Sequence, residues 1–261
     1  MSAPDPAGAG PPLGVIGGSA FLRGVGELPG LGGGDGPARD GSGTERPDVE
    51  RMEVATDEGP VTVRRIGGCL FIRRHGEERY HAPHRVRHHA HLLALEALGV
   101  REVAGLASVG ALTPELAPGD VVVPEDYLSR HAPPSFAGEE PLHIVPELDE
   151  AMRARLARVA RAAGSERVVE GGVYAETRGP RFETRAEVRA LARDATVVGM
   201  TAASEATLAQ ERGMRYAVLC IVDNMAHGIG EGALTLEGFR AMQDRNAGLA
   251  RRVLAVLARG G

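Results

Sequence analysis

Residues that could contact a ligand lie in or directly after several short apolar runs of this sequence. They are Arg74 and His75 after CLFIR, Ser108 and Val109 within EVAGLASVGAL, Met200 and Thr201 after ATVVG, and Asp223 and Asn224 after YAVLCIV. Ligands of α/β proteins bind beyond the carboxyl ends of buried strands, so we expect these residues to share one site.

An anion site is the first chemistry that these residues indicate. Gly17 and Gly18 end the first apolar run, where backbone N–H groups can approach an anion, and the Ser19 hydroxyl can add a hydrogen bond. The guanidinium of Arg74 suits bidentate contact with phosphate. A tight turn explains the glycines equally well, and their spacing is not that of a dinucleotide-binding G-x-G-x-x-G loop.

The segment 73–91, RRHGEERYHAPHRVRHHAH, holds six of the nine histidines. A metal site and a solvated basic stretch are both alternatives to an anion site. The segment contains no HExxH and no regular pairing of imidazoles with a carboxylate, so the sequence favours an anion over a metal. We therefore predict that the protein needs no metal.

A planar ligand is indicated by the segment ETRGPRFET, which places Phe182 beside Glu183. An aromatic ring can stack on a base, and a carboxylate can accept a ring N–H. A core phenylalanine next to a helix-capping acid explains the same pair. The amide of Asn224 offers both a donor and an acceptor, although asparagine there is also typical of a turn.

Composition limits the class of protein. The chain has 261 residues, 43% hydrophobic and 25% charged, with a net charge of −5, which argues against nucleic acid as the main partner. All basic residues are arginine, so no lysine forms a Schiff base or a P-loop. Cys69 and Cys220 lie in apolar runs, where we expect buried reduced thiols. No run approaches the ~18 apolar residues of a membrane span, and no secretory signal is evident. We expect a cytoplasmic enzyme without a membrane partner.

The elements that must position these residues follow from apolar patterning. Residues 1–12 are predicted to be a disordered tail, and residues 13–261 a single domain. Strand-like runs alternate with helical ones, among them 88–99, 147–163 and 235–259. The alternation predicts an α/β fold whose mixed, mainly parallel central sheet is flanked by helices on both faces.

Together the motifs resemble the trimeric purine nucleoside phosphorylase and methylthioadenosine phosphorylase family, from Leu13 to about Ala250. The matching blocks are GVIGGSAF, RRHGEERYHAPHRV, PGDVVVPEDYL, GPRFETRAE, VVGMTAASEATLAQERG and YAVLCIVDN. The resemblance implies the nucleoside phosphorylase fold and cleavage of a purine nucleoside to free base and ribose 1-phosphate. It also implies a homotrimer and no cofactor, with inorganic phosphate as the co-substrate.

The resemblance assigns roles to residues. Phosphate would be bound by Ser19, Arg74, His75 and Thr201. Ser108 and Val109 would lie against phosphate and ribose, Met200 beneath the ribose, and Phe182 against the base. His143 resembles a family position that reaches into the site of the neighbouring subunit.

Base choice depends on the proposed catalytic residues Glu183 and Asn224. Hypoxanthine and guanine present N1–H and O6, which an ionised Glu183 and the amide of Asn224 can bind. Adenine reverses this polarity, and adenine-preferring members usually have Ser and Asp at the two positions. We therefore expect a 6-oxopurine. If the register slips by one residue, Asp223 faces the base instead and restores adenine chemistry.

The ribose 5′ end is expected to meet apolar residues around Leu234, as in the methylthio-nucleoside branch. Inosine, guanosine and 5′-methylthioinosine are the expected substrates. Three alternatives stay open: a 5′-methylthioadenosine phosphorylase, a nucleoside hydrolase-like enzyme, and a non-catalytic nucleoside-binding protein.

Two departures from the family pattern border the expected phosphate site. The chain has VRHHAH where VNYRAN is common, and GMTAASE where GMSTVPE or NMTTVPE is usual. Thr201 and Glu205 are retained, whereas Ala203 and Ser204 replace Val-Pro. These changes leave room for a specialised substrate or altered catalysis.

Overall fold

The computed structural model describes residues 10–18, 49–139, 141–230 and 235–261. Within these ranges eleven strands join one sheet. They are β1 (Leu13–Gly17), β2 (Val49–Val54), β3 (Val61–Ile66), β4 (Cys69–Arg73), β5 (Glu102–Ala111), β6 (Val121–Val123), β7 (Asp126–Ser129), β8 (Val168–Glu170), β9 (Val173–Glu176), β10 (Val197–Gly199) and β11 (Arg215–Met225). The helices are α1 (His88–Ala97), α2 (Glu150–Ala162), α3 (Arg185–Leu191), α4 (Ala202–Glu211) and α5 (Leu236–Ala258), with a 3₁₀ turn at Pro83–Arg85.

The sheet is mixed and mainly parallel, as predicted. Its strands follow the order β2-β3-β4-β1-β5-β10-β9-β7, and β11 pairs with both β5 and β6, which in turn pairs with β8. Six of the ten strand pairs are parallel. The antiparallel β2 was missed from the sequence because its residues, VERMEV, are half-buried or exposed and form no apolar run.

Helices cover both faces of the sheet, and strand alternation divides the core between them. On one face Val218 and Cys220 of β11 belong to the apolar cluster that includes residues of α1 and α4. On the other face Leu219 and Ile221 pack in the cluster with α2 and α5. Successive side chains of a strand point to opposite faces, so the continuation of β11 sends neighbouring residues to different environments.

Local signals explain where helices begin. The predicted helix 147–163 starts at Glu150 because Asp149 caps it, its carboxylate accepting the Met152 N–H at 2.8 Å. Thr184 and Glu187 form a capping box at the start of α3.

Some sequence predictions concern residues outside the described ranges, and others concern the two cysteines and membrane-spanning helices. Residues 1–9 of the predicted tail, Ser19 and Leu234 lie outside the described residues. Cys69 and Cys220 are buried and unpaired, as expected. Within the described ranges no helix is long and apolar enough to cross a bilayer.

Candidate active site

A cavity of about 370 Å³ lies at one edge of the sheet, beside Gly18, which follows β1, and Arg74 and His75, which follow β4. It brings together most of the residues predicted from the sequence. They are Arg74, His75, Ser108, Val109, Phe182, Glu183, Met200, Thr201 and Asn224. The expectation that the strand ends form one shared site therefore agrees with the geometry.

A buried ion pair joins Arg74, which lines this cavity, to Glu205. Nε of Arg74 donates to Oε1 of Glu205 at 2.5 Å and Nη2 donates to Oε2 at 2.9 Å. The same guanidinium donates to the carbonyls of Leu106 at 2.8 Å and Ile16 at 3.1 Å. Burial alone would lower the pKa of Arg74, but Glu205 more than offsets this and raises it. Arg74 thus joins β4 to α4, β5 and β1.

Tyr216 and Gly105 complete the surroundings of Glu205. The Tyr216 hydroxyl donates to Oε2 of Glu205 at 2.8 Å. A side chain on Gly105 would collide with that hydroxyl, and one on Gly18 would collide with Nη1 of Arg74. The glycines at these two points therefore provide the space that the ion-pair network occupies.

Thr201 and His75, which the sequence predicts to bind phosphate, line the cavity. Thr201 is buried at the start of α4, and its side chain makes no capping hydrogen bond. Nδ1 of His75 lies 2.8 Å from the carbonyl oxygen of His81. Burial lowers the pKa of His75 to about 4, so the ring is neutral at pH 7.

The altered residues around Ser204 have a structural partner in Glu176. The Ser204 backbone N–H donates to Oε2 of Glu176 at 3.0 Å, and the Ser204 hydroxyl donates to Oε1. His131 lies 3.2 Å from the same carboxylate, which raises the pKa of that imidazole. A proline at position 204 has no N–H to donate, so the change creates a buried contact between β9 and α4.

Two histidines of the altered segment VRHHAH, His88 and His91, are buried in α1. His88 is buried in α1 with Nδ1 3.8 Å from Oε1 of Glu205, and burial lowers its pKa to about 3. His91 is also buried, and burial lowers its pKa well below the ordinary value. Both rings are neutral at pH 7, and Nδ1 of each is buried without a hydrogen-bond partner among the described residues. Within the described ranges no three His, Cys, Asp or Glu side chains form a group that could hold a metal ion.

Glu183 and Asn224 also line the cavity. Glu183 is buried, and its Oε1 accepts the Thr177 hydroxyl at 2.6 Å. This leaves Oε2 for a ligand. The Asn224 Nδ2 donates one hydrogen to the Met225 carbonyl at 2.8 Å, which identifies the amide nitrogen. Its second hydrogen and Oδ1 are available to a ligand.

Asp223 lies on the other face of the sheet, which corrects its assignment to the base site. It follows the parity of Leu219 and Ile221 and is 1% exposed beneath α5. The Asn246 amide donates to its carboxylate at 2.7 Å and to the Val222 carbonyl at 3.1 Å. Burial raises the pKa of Asp223, while Asn246, Ser108 and Gln243 oppose the shift. A register irregularity at this point in the β5–β11 pairing leaves Asn224 beside the cavity.

His143 and Ser108 are the remaining predicted positions within the described residues. His143 is exposed and does not line the cavity. Ser108 lines it, yet its hydroxyl oxygen is buried on the side of Asp223.

Sequence reasoning missed several contributors to the site. Thr177 positions Glu183, Tyr80 lies at the cavity wall, and Tyr216 binds Glu205. Tyr80 could have been noticed because it lies within the histidine-rich segment. The Tyr216 contact depends on packing between distant parts of the chain, which no local spacing indicates.

The ion pair yields a stability prediction. Glu205→Gln leaves the buried Arg74 charge without its counter-ion, so we expect the free energy of unfolding to fall by about 3–5 kcal/mol. Urea unfolding followed by circular dichroism measures it. Glu50→Gln is the matched control, because Glu50 forms an exposed pair with Arg65 at 3.5 Å and should change stability by less than about 1 kcal/mol. Equal losses in the two variants would contradict the described role of the pair.

Comparison with known proteins agrees with this geometry. Residues 14–259 match the Phosphorylase superfamily. A probable 6-oxopurine nucleoside phosphorylase of Archaeoglobus fulgidus is 42% identical over 186 residues, which cover 70% of this chain and 76% of the relative. A probable S-methyl-5′-thioinosine phosphorylase of Methanopyrus kandleri is 36% identical over 239 residues, which cover 86% and 83%.

A solved structure shows the same fold. The methylthioadenosine phosphorylase of Schistosoma mansoni in complex with adenine aligns with a TM-score of 0.73 at 22% identity, covering 95% of this chain and 90% of that one. The family match extends over nearly the whole sequence and includes the motif blocks and the described residues that line the cavity. The chain belongs to the Phosphorylase superfamily.

Proposed function

We propose that this chain cleaves 6-oxopurine nucleosides with phosphate, releasing the free base and ribose 1-phosphate. The observation that carries the proposal is that Glu183 and Asn224 line one cavity. Thr201, His75 and Arg74 line the same cavity. The names of the relatives from Archaeoglobus and Methanopyrus support the same reaction class.

Base recognition follows from hydrogen-bond polarity. Because Thr177 occupies Oε1 of Glu183, Oε2 is the atom that accepts N1–H of hypoxanthine or guanine. The second Nδ2 hydrogen of Asn224 donates to O6, and Oδ1 accepts a hydrogen bond from N7–H once the departing base carries a proton at N7. Adenine would place its N1 lone pair against the carboxylate, and buried groups left unpaired in this way are costly.

The chemical step is a separation of charge that the site stabilises. As the glycosidic bond loosens, the ribose becomes oxocarbenium-like and the electron pair of the bond moves onto the purine. Phosphate at the Thr201 end stabilises the cation and then bonds to the anomeric carbon. Asn224 and Glu183 bind the purine as it becomes anionic, and such fixed groups contribute most when charge develops. No step calls for a metal or organic cofactor.

A 5′-deoxy sugar, 5′-methylthioinosine in particular, is part of the proposal. The apolar sequence around Leu234 suits a methylthio group better than a hydroxyl. The name of the Methanopyrus relative supports this reading. Comparing kcat/KM for methylthioinosine and inosine measures the preference, and we expect methylthioinosine to be the better substrate.

A homotrimer with sites at subunit interfaces is also proposed. His143 is exposed between two exposed apolar side chains, Leu142 at 37% and Val145 at 88%. Contiguous exposed apolar groups favour an interface, and His143 would then reach a neighbouring cavity. Sedimentation equilibrium should give about three times the chain mass of 27.4 kDa. A monomer that retains full activity would contradict the shared site.

Phosphate dependence separates the proposal from its alternatives. We expect release of hypoxanthine from inosine or methylthioinosine to require phosphate and to yield ribose 1-phosphate or its methylthio form. Spectrophotometric base release with and without phosphate measures this. Phosphate-independent release would identify a hydrolase-like enzyme, and tight nucleoside binding without turnover would identify a binding protein.

Base specificity has a matched pair of variants on adjacent residues. Asn224→Asp should lower kcat/KM for inosine by roughly 10²-fold or more and shift the preference toward adenosine, because a carboxylate cannot donate to O6. Asp223→Asn alters a side chain that faces α5, so the ratio of kcat/KM for the two nucleosides should stay unchanged. A change of that ratio in Asp223→Asn alone would show that Asp223 reads the base.

A further inference from the structure

The tautomer of His75 is set by a backbone carbonyl. Its Nδ1 lies 2.8 Å from the oxygen of His81, and a carbonyl oxygen can only accept. Nδ1 therefore carries the proton, and Nε2 presents a lone pair. The ring is held in this orientation by stacking on Tyr80, with ring centroids 5.2 Å apart and planes at 18°.

Nε2 faces the cavity with no protein partner among the described residues. His75 lines the cavity and is 5% exposed, and its one hydrogen bond there is the bond through Nδ1. Burial, aided by the adjacent Arg74 charge, lowers the pKa of His75 to about 4 and keeps Nε2 unprotonated near neutral pH. His75 thus brings an acceptor to the end of the cavity where an anion is expected.

Among the described residues that line the cavity, the positive charge of Arg74 does not change this polarity. Arg74 is paired with Glu205 through two hydrogen bonds and gives two more to carbonyls. Among the described residues, an anion beside His75 therefore meets a charge that is already balanced, the fifth N–H of that guanidinium and neutral groups. In such surroundings an acceptor facing a fully ionised oxygen has no compensating hydrogen bond, whereas an acceptor facing a P–OH group gains one.

We propose that His75 is a specificity-determining acceptor, whose Nε2 accepts the P–OH hydrogen of hydrogen phosphate and thereby selects oxyanions that carry a proton. Sulfate has similar size and charge but no proton near neutral pH, so it is disfavoured. Arsenate carries one and is accepted. The inference rests on the proposed phosphate site and assigns that site its discriminating contact.

The test compares anions rather than activity alone. Initial rates of base release at varied phosphate, with sulfate as competitor, give KM for phosphate and Ki for sulfate. In the unaltered enzyme we expect Ki to exceed KM by at least roughly tenfold, the ratio that one unpaired buried group produces. Arsenate should support base release in place of phosphate.

Variants of His75 should remove the discrimination. In His75→Gln the amide can turn either its N–H or its oxygen toward the anion, so Ki for sulfate should fall, KM for phosphate should rise, and their ratio should approach one. His75→Phe keeps a ring beside Tyr80 but has no acceptor, so the ratio of Ki for sulfate to KM for phosphate should again approach one. His84→Gln makes the glutamine change at an exposed histidine outside the cavity lining and should leave this ratio as it is in the unaltered enzyme.

Each contrary result has a distinct meaning. Equal weakening of phosphate and sulfate in both His75 variants would show a structural role and overturn the inference. So would a sulfate Ki close to the phosphate KM in the unaltered enzyme, although phosphate-dependent turnover would leave the proposed function standing. If base release proves independent of phosphate, the proposed function fails. Calorimetric titration with inorganic phosphate and sulfate then decides: a preference for phosphate supports the inference, and equal or absent binding overturns it.

Discussion

The ion pair between Arg74 and Glu205 is the constraint on which the candidate site depends. It is almost fully buried, and its hydrogen bonds reach the ends of β1 and β4, the middle of β5, the start of α4 and, through Tyr216, β11. Two desolvated charges are tolerated only when they are well paired, so the elements that carry them have little freedom to move apart. Arg74 also lines the cavity, so the ion pair fixes the position of one of its lining residues.

The same geometry gives Arg74 a role different from a free phosphate-binding cation. Its charge is balanced by Glu205, and the family residue Glu205 is retained although the residues around it have changed. Ser204 gives its N–H and hydroxyl to Glu176, and the neutral His88 packs near Glu205. Ser204, which differs from the family pattern, is therefore held by buried hydrogen bonds, whereas Nδ1 of His88 is buried without one among the described residues.

Much of the fold and part of the site could be predicted from the sequence. Apolar runs identified β5 and β11, and the polar residues after them identified the cavity. The sequence alone does not decide whether Asp223 or Asn224 faces the base, because a shift of one residue in strand register exchanges the two faces of the sheet. Long-range contacts decide such questions. Asp223 binds Asn246, 23 positions further along the chain, and Arg74 binds Glu205, 131 positions further along, and neither contact leaves a local sequence pattern. The exposed alternation of β2 gave no apolar signal at all.

The central claim is that one cavity reads a 6-oxopurine through Glu183 and Asn224 and holds phosphate at the Thr201 end. A crystal structure with hypoxanthine and phosphate tests it most directly. We expect Glu183 Oε2 within hydrogen-bond distance of N1, Asn224 on O6 and N7, and phosphate beside Thr201 and His75. A base bound through Asp223, or phosphate bound outside this cavity, would contradict it.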